Sequence, residues 1–163
     1  MVRDTFAVCA VVLVWSSAVF SAAQRQTAKP ATGVDPCALL TRQEAAAAVG
    51  EAVGEGKSTV VDMRGNPGIE AGGSCAFESS SNVHGLKLNM YVYPAPIVEA
   101  LRKRAAQKEQ VAGLGDAAWW YDANHRELQV LKGRTSLSIT LTRSGDAAEA
   151  LKTVAKKALD RLR

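Results

Sequence analysis

The chain has 163 residues, of which 47% are hydrophobic and 22% charged; this is about one domain's length and excludes a chain too polar to fold around a core. Twenty basic and 16 acidic residues give a net charge of +4, which suits weak attraction to anionic surfaces and implies no nucleic-acid partner.

Residues 6–20 form an apolar stretch behind Arg3 and run into Ser21-Ala22-Ala23, small residues at the positions a signal peptidase inspects. This predicts a signal peptide over 1–23 and a mature chain that begins at Gln24, secreted or periplasmic. The alternative is an uncleaved membrane anchor, although the stretch is shorter than the ~20 apolar residues a spanning helix needs. Cys9 lies ahead of most of the apolar run, which is poorly placed for a lipid-modified cysteine. Removing 1–23 takes away Arg3 and Asp4, so 19 basic and 15 acidic residues remain and the balance is still +4. Residues 24–34, rich in Gln, Thr, Ala, Lys, Pro and Gly, have too little apolar content to pack and predict a flexible leader.

A single domain over 35–163 follows. Asp35-Pro36-Cys37 starts a first turn, and Thr41-Arg42-Gln43-Glu44 is a capping box before the apolar run 45–49, with Gly50 as its stop. Residues 58–63 read as a first strand. The glycine-rich piece 64–73 reads as a mobile connection, and 74–79 as a second strand with Cys75 and Phe77 on one face. In the third strand, 86–93, Leu86, Leu88, Met90 and Val92 alternate with Lys87, Asn89, Tyr91 and Tyr93. Pro96 then opens a helix to about Gln110, with Ile97, Leu101 and Ala105 on one face and a basic patch of Arg102, Lys103, Arg104 and Lys108 on the other.

Residues 111–142 read as three more strands joined by short turns, Asp122-Ala123-Asn124-His125 and Lys132-Gly133-Arg134. Asp146 caps a terminal helix whose stripe is Leu151, Val154, Ala155, Ala158, Leu159 and Leu162. The order is α-β-β-β-α-β-β-β-α. The predicted fold class is α+β, a single mainly antiparallel sheet of about six strands with helices packed on one face.

After signal cleavage Cys37 and Cys75 remain, and in an oxidising compartment they predict one structural disulfide. There is no C-x-x-C, and His84 and His125 both fall in turns away from either cysteine, so neither a catalytic thiol nor a metal site is expected. Gly113-Leu114-Gly115 precedes a strand and is no dinucleotide fingerprint, and Ser79-Ser80-Ser81 reads as loop. No catalytic residue and no cofactor follow from these patterns.

The segments D-P-C-A-L-L-T-R-Q-E-A-A-A-A-V-G, G-G-S-C-A-F and V-A-G-L-G-D-A-A-W-W, with L-Q-V-L-K-G-R-T-S-L-S-I-T-L, cover most of the mature chain. Together they resemble small secreted or lipid-anchored bacterial domains of unknown function, common in actinobacteria and related in pattern to the extracellular sensor domains of some mycobacterial kinases. The resemblance implies an α+β envelope domain and transfers no catalytic residue. The cysteine that lipid-anchored members carry at the cleavage site is missing here.

The functional reading is a non-catalytic, envelope-associated binding or accessory domain for a protein, peptide or glycan. Its expected contact face carries Tyr91, Tyr93 and Trp120, with Trp119 turned into the core and Trp120 outward. The alternatives are a purely structural envelope protein and a small hydrolase.

Overall fold

The computed structural model describes residues 34–60 and 68–162. The expected signal segment, the leader up to residue 33, the end of the first strand (61–63), the start of the glycine-rich connection (64–67) and Arg163 lie outside the described residues.

Asp35 and Pro36 open a 3-10 turn, Pro36–Leu39, in which the Asp35 carboxylate accepts the Cys37 N–H at 3.0 Å. The capping box is formed: Thr41 Oγ1 accepts the Glu44 N–H at 3.2 Å and Glu44 accepts the Thr41 N–H at 2.9 Å, starting α1 at Arg42–Val49. Gly50 ends α1 in the left-handed region. There follow β1 (Lys57–Val60), β2 (Ala71–Glu78), β3 (Gly85–Val92), α2 (Ala95–Ala105), β4 (Ala117–Trp120), β5 (Glu127–Lys132), β6 (Thr135–Thr142) and α3 (Ala148–Arg161). Apart from the opening 3-10 turn this is the expected succession, and the fold is α+β with one six-stranded antiparallel sheet.

Boundaries moved where pairing outweighed local signals. β2 begins at Ala71 because Gly72 and Gly73 pair with Tyr91 and Met90 of β3. α2 stops at Ala105, short of Gln110, because the chain from Glu109 to Val111 runs along the free edge of β4: Trp120 N–H bonds Glu109 at 2.9 Å and Val111 N–H bonds Ala118 at 2.8 Å. That covers an edge which would otherwise expose unpaired backbone groups.

The strand order is β1-β2-β3-β6-β5-β4, so each half of the chain contributes three consecutive strands and β3 joins β6 at the centre. Alternation sends Leu86, Leu88 and Met90 of β3, Leu137, Ile139 and Leu141 of β6, and Leu128 and Val130 of β5 to one face. There α1 and the stripe Leu151, Val154, Ala155, Ala158 and Leu159 of α3 cover them, as expected. One helix departs from the one-face arrangement. α2 lies on the opposite side at the β4 end, where Val98 and Ala105 pack with Trp119 and Leu131. The cause is parity: Trp119 and Leu131 point away from the main core, and apolar side chains of that size must be covered.

Two devices fix the first segment to this body. Cys37 and Cys75 form the expected disulfide, with Cα atoms 5.0 Å apart and a sequence separation of 38, a loop worth about 4 kcal/mol on the chain-entropy account. Gly56 passes so close to it that a Cβ would lie 2.7 Å from Cys75 Sγ and 3.0 Å from Cys37 Sγ, so only glycine fits. The second device is Glu44, which accepts Nη1 and Nη2 of Arg161 at 2.6 and 2.9 Å and Nζ of Lys157 at 3.1 Å, while Arg161 also bonds the Leu39 carbonyl. This ties α1 and the first turn to the last turns of α3. The Arg161 guanidinium holds the Glu44 carboxyl far below the usual carboxylate range, helped by the Thr41 N–H and Lys157 and opposed by burial.

Glu44→Gln keeps the shape and removes the charge, and we expect it to lower stability by about 1–3 kcal/mol at neutral pH. A carboxyl whose folded pKa is depressed stabilises fully above its unfolded value, about 4.3, and loses that contribution as pH falls toward the folded value. The urea midpoints of wild type and variant therefore converge on acidification. A gap independent of pH would show that the ionised carboxylate is not what joins α1 to α3.

Candidate functional site

The candidate site is the face of the sheet opposite α1 and α3. α2 closes its β4 end, and among the described residues no other helix packs on this side. Register places its residues in rows: Glu127 beside Thr140 and Lys87, Gln129 beside Ser138, Asn89 and Ser74, and Ser136 beside Tyr91 and Gly72. The result is a polar strip of hydroxyls, amides and charges. Its centre is organised by Glu127, whose Oε1 accepts both Gln129 Nε2 and Ser138 Oγ at 2.9 Å. Among the described residues the strip exposes no large aliphatic side chain.

The expected binding residues separate. Tyr91 and Tyr93 lie on this face as alternation requires, half-buried, with ring centroids 6.1 Å apart. Tyr93 packs against the Trp119 cluster under α2, and burial, with Tyr91 nearby, raises its phenol above the usual value. Tyr91 is thus the member of the pair nearer the open strip.

Trp120 is a correction. Only 5% exposed, it belongs to the main core with Ala118 and Leu128. The expectation assumed that one face would be left open at this point, so that one tryptophan had to be outward. Instead α2 covers Trp119 on one side, and the main core takes Trp120 on the other. His125 lies over Trp120, ring centroids 4.6 Å apart, and its Nε2 meets Glu109 at 2.9 Å. The aromatic that is exposed here is Tyr121, at 54%. Its N–H still bonds Glu127, and the alternation that begins at Trp119 carries it to the strip side. The alternation of the run Trp119-Trp120-Tyr121 sets Trp119 and Tyr121 on one side and Trp120 on the other, and only the packing of α2 decides which side is covered where.

The basic patch is present and exposed, yet partly neutralised. Arg102 bonds Asp116 at 2.9 Å, and Asp116 also accepts the Gly133 N–H at 2.8 Å, so this pair fixes α2 to the β5–β6 turn. Lys103 lies 3.7 Å from Glu99. Arg104 and Lys108 have no acidic partner among the described residues. Two isolated cations are a weak lure for an anionic surface.

A groove of about 710 Å³ runs between α1 and α3, floored by Ala47, Ala48, Ala150 and Val154. Glu44 at its wall is fully engaged by Arg161, Lys157 and the Thr41 N–H, which marks it as architecture. Among the described residues there is no group of His, Cys, Asp and Glu able to hold a metal, and no helix long and apolar enough to cross a membrane. The disulfide is compatible with an extracytoplasmic location.

Comparison of the chain with protein-family models, with curated proteins and with solved structures gave no match.

Both tryptophans of the domain should be shielded. With Trp15 replaced by Phe, so that only Trp119 and Trp120 report, iodide should quench the fluorescence several-fold less than it quenches a free tryptophan derivative. Quenching close to the free value would mean that one indole faces water.

Proposed function

We propose that this chain is a secreted, envelope-associated binding domain that holds a neutral or weakly charged glycan on the open strip of its sheet. The observation that carries the reading is the composition of that strip: Asn89, Gln129, Ser138 and Thr140 in adjacent rows, with Tyr91 to one side and Tyr121 to the other. Hydroxyl and amide groups match the donors and acceptors of sugar hydroxyls, and tyrosine rings offer an apolar body with a polar tip to the C–H faces of a pyranose. A protein partner is favoured less, because protein interfaces are centred on a desolvated apolar core and this strip has none. Secretion rests on the signal-like segment and on the disulfide, and the envelope setting on the resemblance of the sequence motifs.

The reading is tested by titrating the folded protein with soluble cell-wall oligosaccharides and following backbone amide shifts. Shifts should gather on β3, β5 and β6 around Asn89, Gln129 and Ser138. Tyr91→Ser with Tyr121→Ser should weaken binding about tenfold or more, as expected when roughly 1.4 kcal/mol of ring contact is lost, with an unchanged circular dichroism spectrum. Shifts confined to other surfaces, or equal affinity in the double variant, would remove this face as the binding site.

A further inference from the structure

A second constellation lies away from the strip, where the end of α1, the β2–β3 loop and the segment after β6 meet. His84 Nδ1 is 2.7 Å from Glu51 Oε1, and His84 Nε2 is 3.4 Å from Ser144 Oγ. We propose that Glu51, His84 and Ser144 form a serine–histidine–carboxylate relay that hydrolyses small carboxylic esters, with Ser144 as nucleophile, His84 as general base and Glu51 as the positioning residue.

The hydrogen-bond order supports the assignment. A carboxylate can only accept, so the His84–Glu51 bond places the ring proton on Nδ1. In the neutral ring Nε2 is then a lone pair, and Ser144 bonds it by donating its hydroxyl proton. That is the polarity a general base needs, and the separation is of the kind that tightens when substrate binds. His84 keeps Glu51 ionised, holding its carboxyl below the usual value, with Ser79 and Ser81 assisting against desolvation. Ser81 Oγ lies 3.5 Å from the same Glu51 oxygen and 2.8 Å from Ser79 Oγ, a hydroxyl buried in the hairpin base. The carboxylate is thus steered from two sides.

A cavity of about 230 Å³ opens beside these groups, lined by Val49, Gly50, Glu51, His84, Arg143 and Ser144. Ser144 is exposed, so a substrate can reach it. Arg143 spends Nη1 on the Ala48 carbonyl at 2.7 Å and Nε on the Ser144 carbonyl, while its Nη2 faces the Gly50 side, 3.6 Å from where a Cβ would stand. That leaves a fixed cation lining the same cavity as Ser144, able to meet a developing oxyanion there. The small cavity and the single cation select short acyl groups on esters, whose leaving alkoxide demands less stabilisation than an amide's nitrogen.

Ser144 Oγ adds to the ester carbonyl carbon as its proton passes to His84 Nε2. The carbon–alkoxide bond then breaks, and the alkoxide leaves as an alcohol with that proton. Water next adds to the acyl-serine, giving a proton to Nε2. Breaking the acyl–Oγ bond releases the carboxylic acid, and Nε2 returns the proton to Ser144.

The probes are p-nitrophenyl acetate and a fluorophosphonate, applied to the whole protein with its disulfide intact. Peptide mapping should find the phosphonyl group on Ser144, and Ser144→Ala should lose the label and lower kcat/KM about 100-fold or more. The Ser144 hydroxyl bonds no side chain but His84 among the described residues, so this variant should fold, and an unchanged melting temperature verifies it. Glu51→Gln should lower kcat about tenfold at unchanged KM, a split that a purely structural carboxylate would not produce. An unlabelled wild type, a label on another residue, or the same hydrolysis rate in Ser144→Ala would overturn the relay.

Discussion

The pairing of β3 with β6 is the constraint on which the rest of the molecule depends. It sets Leu86 against Leu141, Leu88 against Ile139 and Met90 against Leu137, joining two three-stranded halves into one apolar surface. Each half alone would leave that surface in water, and three strands with one wet apolar face are marginal. A slip of β3 by one residue against β6 would send Leu86, Leu88 and Met90 to the strip side and turn Lys87, Asn89 and Tyr91 toward the core. The register therefore decides both what is buried and what is offered to a ligand.

The other elements make that register stable. α3 crosses the seam, packing on β5 and β6 of the second half and on α1 and the 3-10 turn of the first. The Glu44–Arg161 pair and the Cys37–Cys75 disulfide hold the first segment at this junction from two directions. On the far side α2 solves a local problem, the exposure of Trp119 and Leu131, and goes no further. Trp119 Nε1 is left without a hydrogen-bond partner there, a cost accepted by an indole used for bulk. Because α2 stops at the β4 end, the polar rows of β3, β5 and β6 remain available.

Much of this was legible in the sequence because it is written in short-range signals. The capping box at Thr41–Glu44, the alternation around Leu88 and Ile139 and the stripe of α3 each occupy consecutive residues, and two cysteines in an oxidising compartment leave one pairing. The misassigned features depend on what lies across space. Whether Trp119 or Trp120 is covered requires knowing where α2 packs, and where α2 ends is set by Glu109 to Val111 pairing with β4. Glu51, His84 and Ser144 had no signal at all: His84 is 33 residues from Glu51 and 60 from Ser144, on three different connections. Only the closed sheet brings them together. Gly85 permits that approach, since a Cβ there would stand 2.8 Å from the Phe77 carbonyl and force the hairpin open.

The account makes the β3–β6 seam the centre of a single cooperative body, and residue-resolved amide hydrogen exchange at neutral pH tests this most directly. The hydrogen-bonded amides of β3 and β6 should be the slowest in the chain and should share one opening free energy, that of global unfolding. Exchange of β4, β5 and β6 as a unit separable from β1, β2 and β3, with the seam opening below the global value, would contradict it.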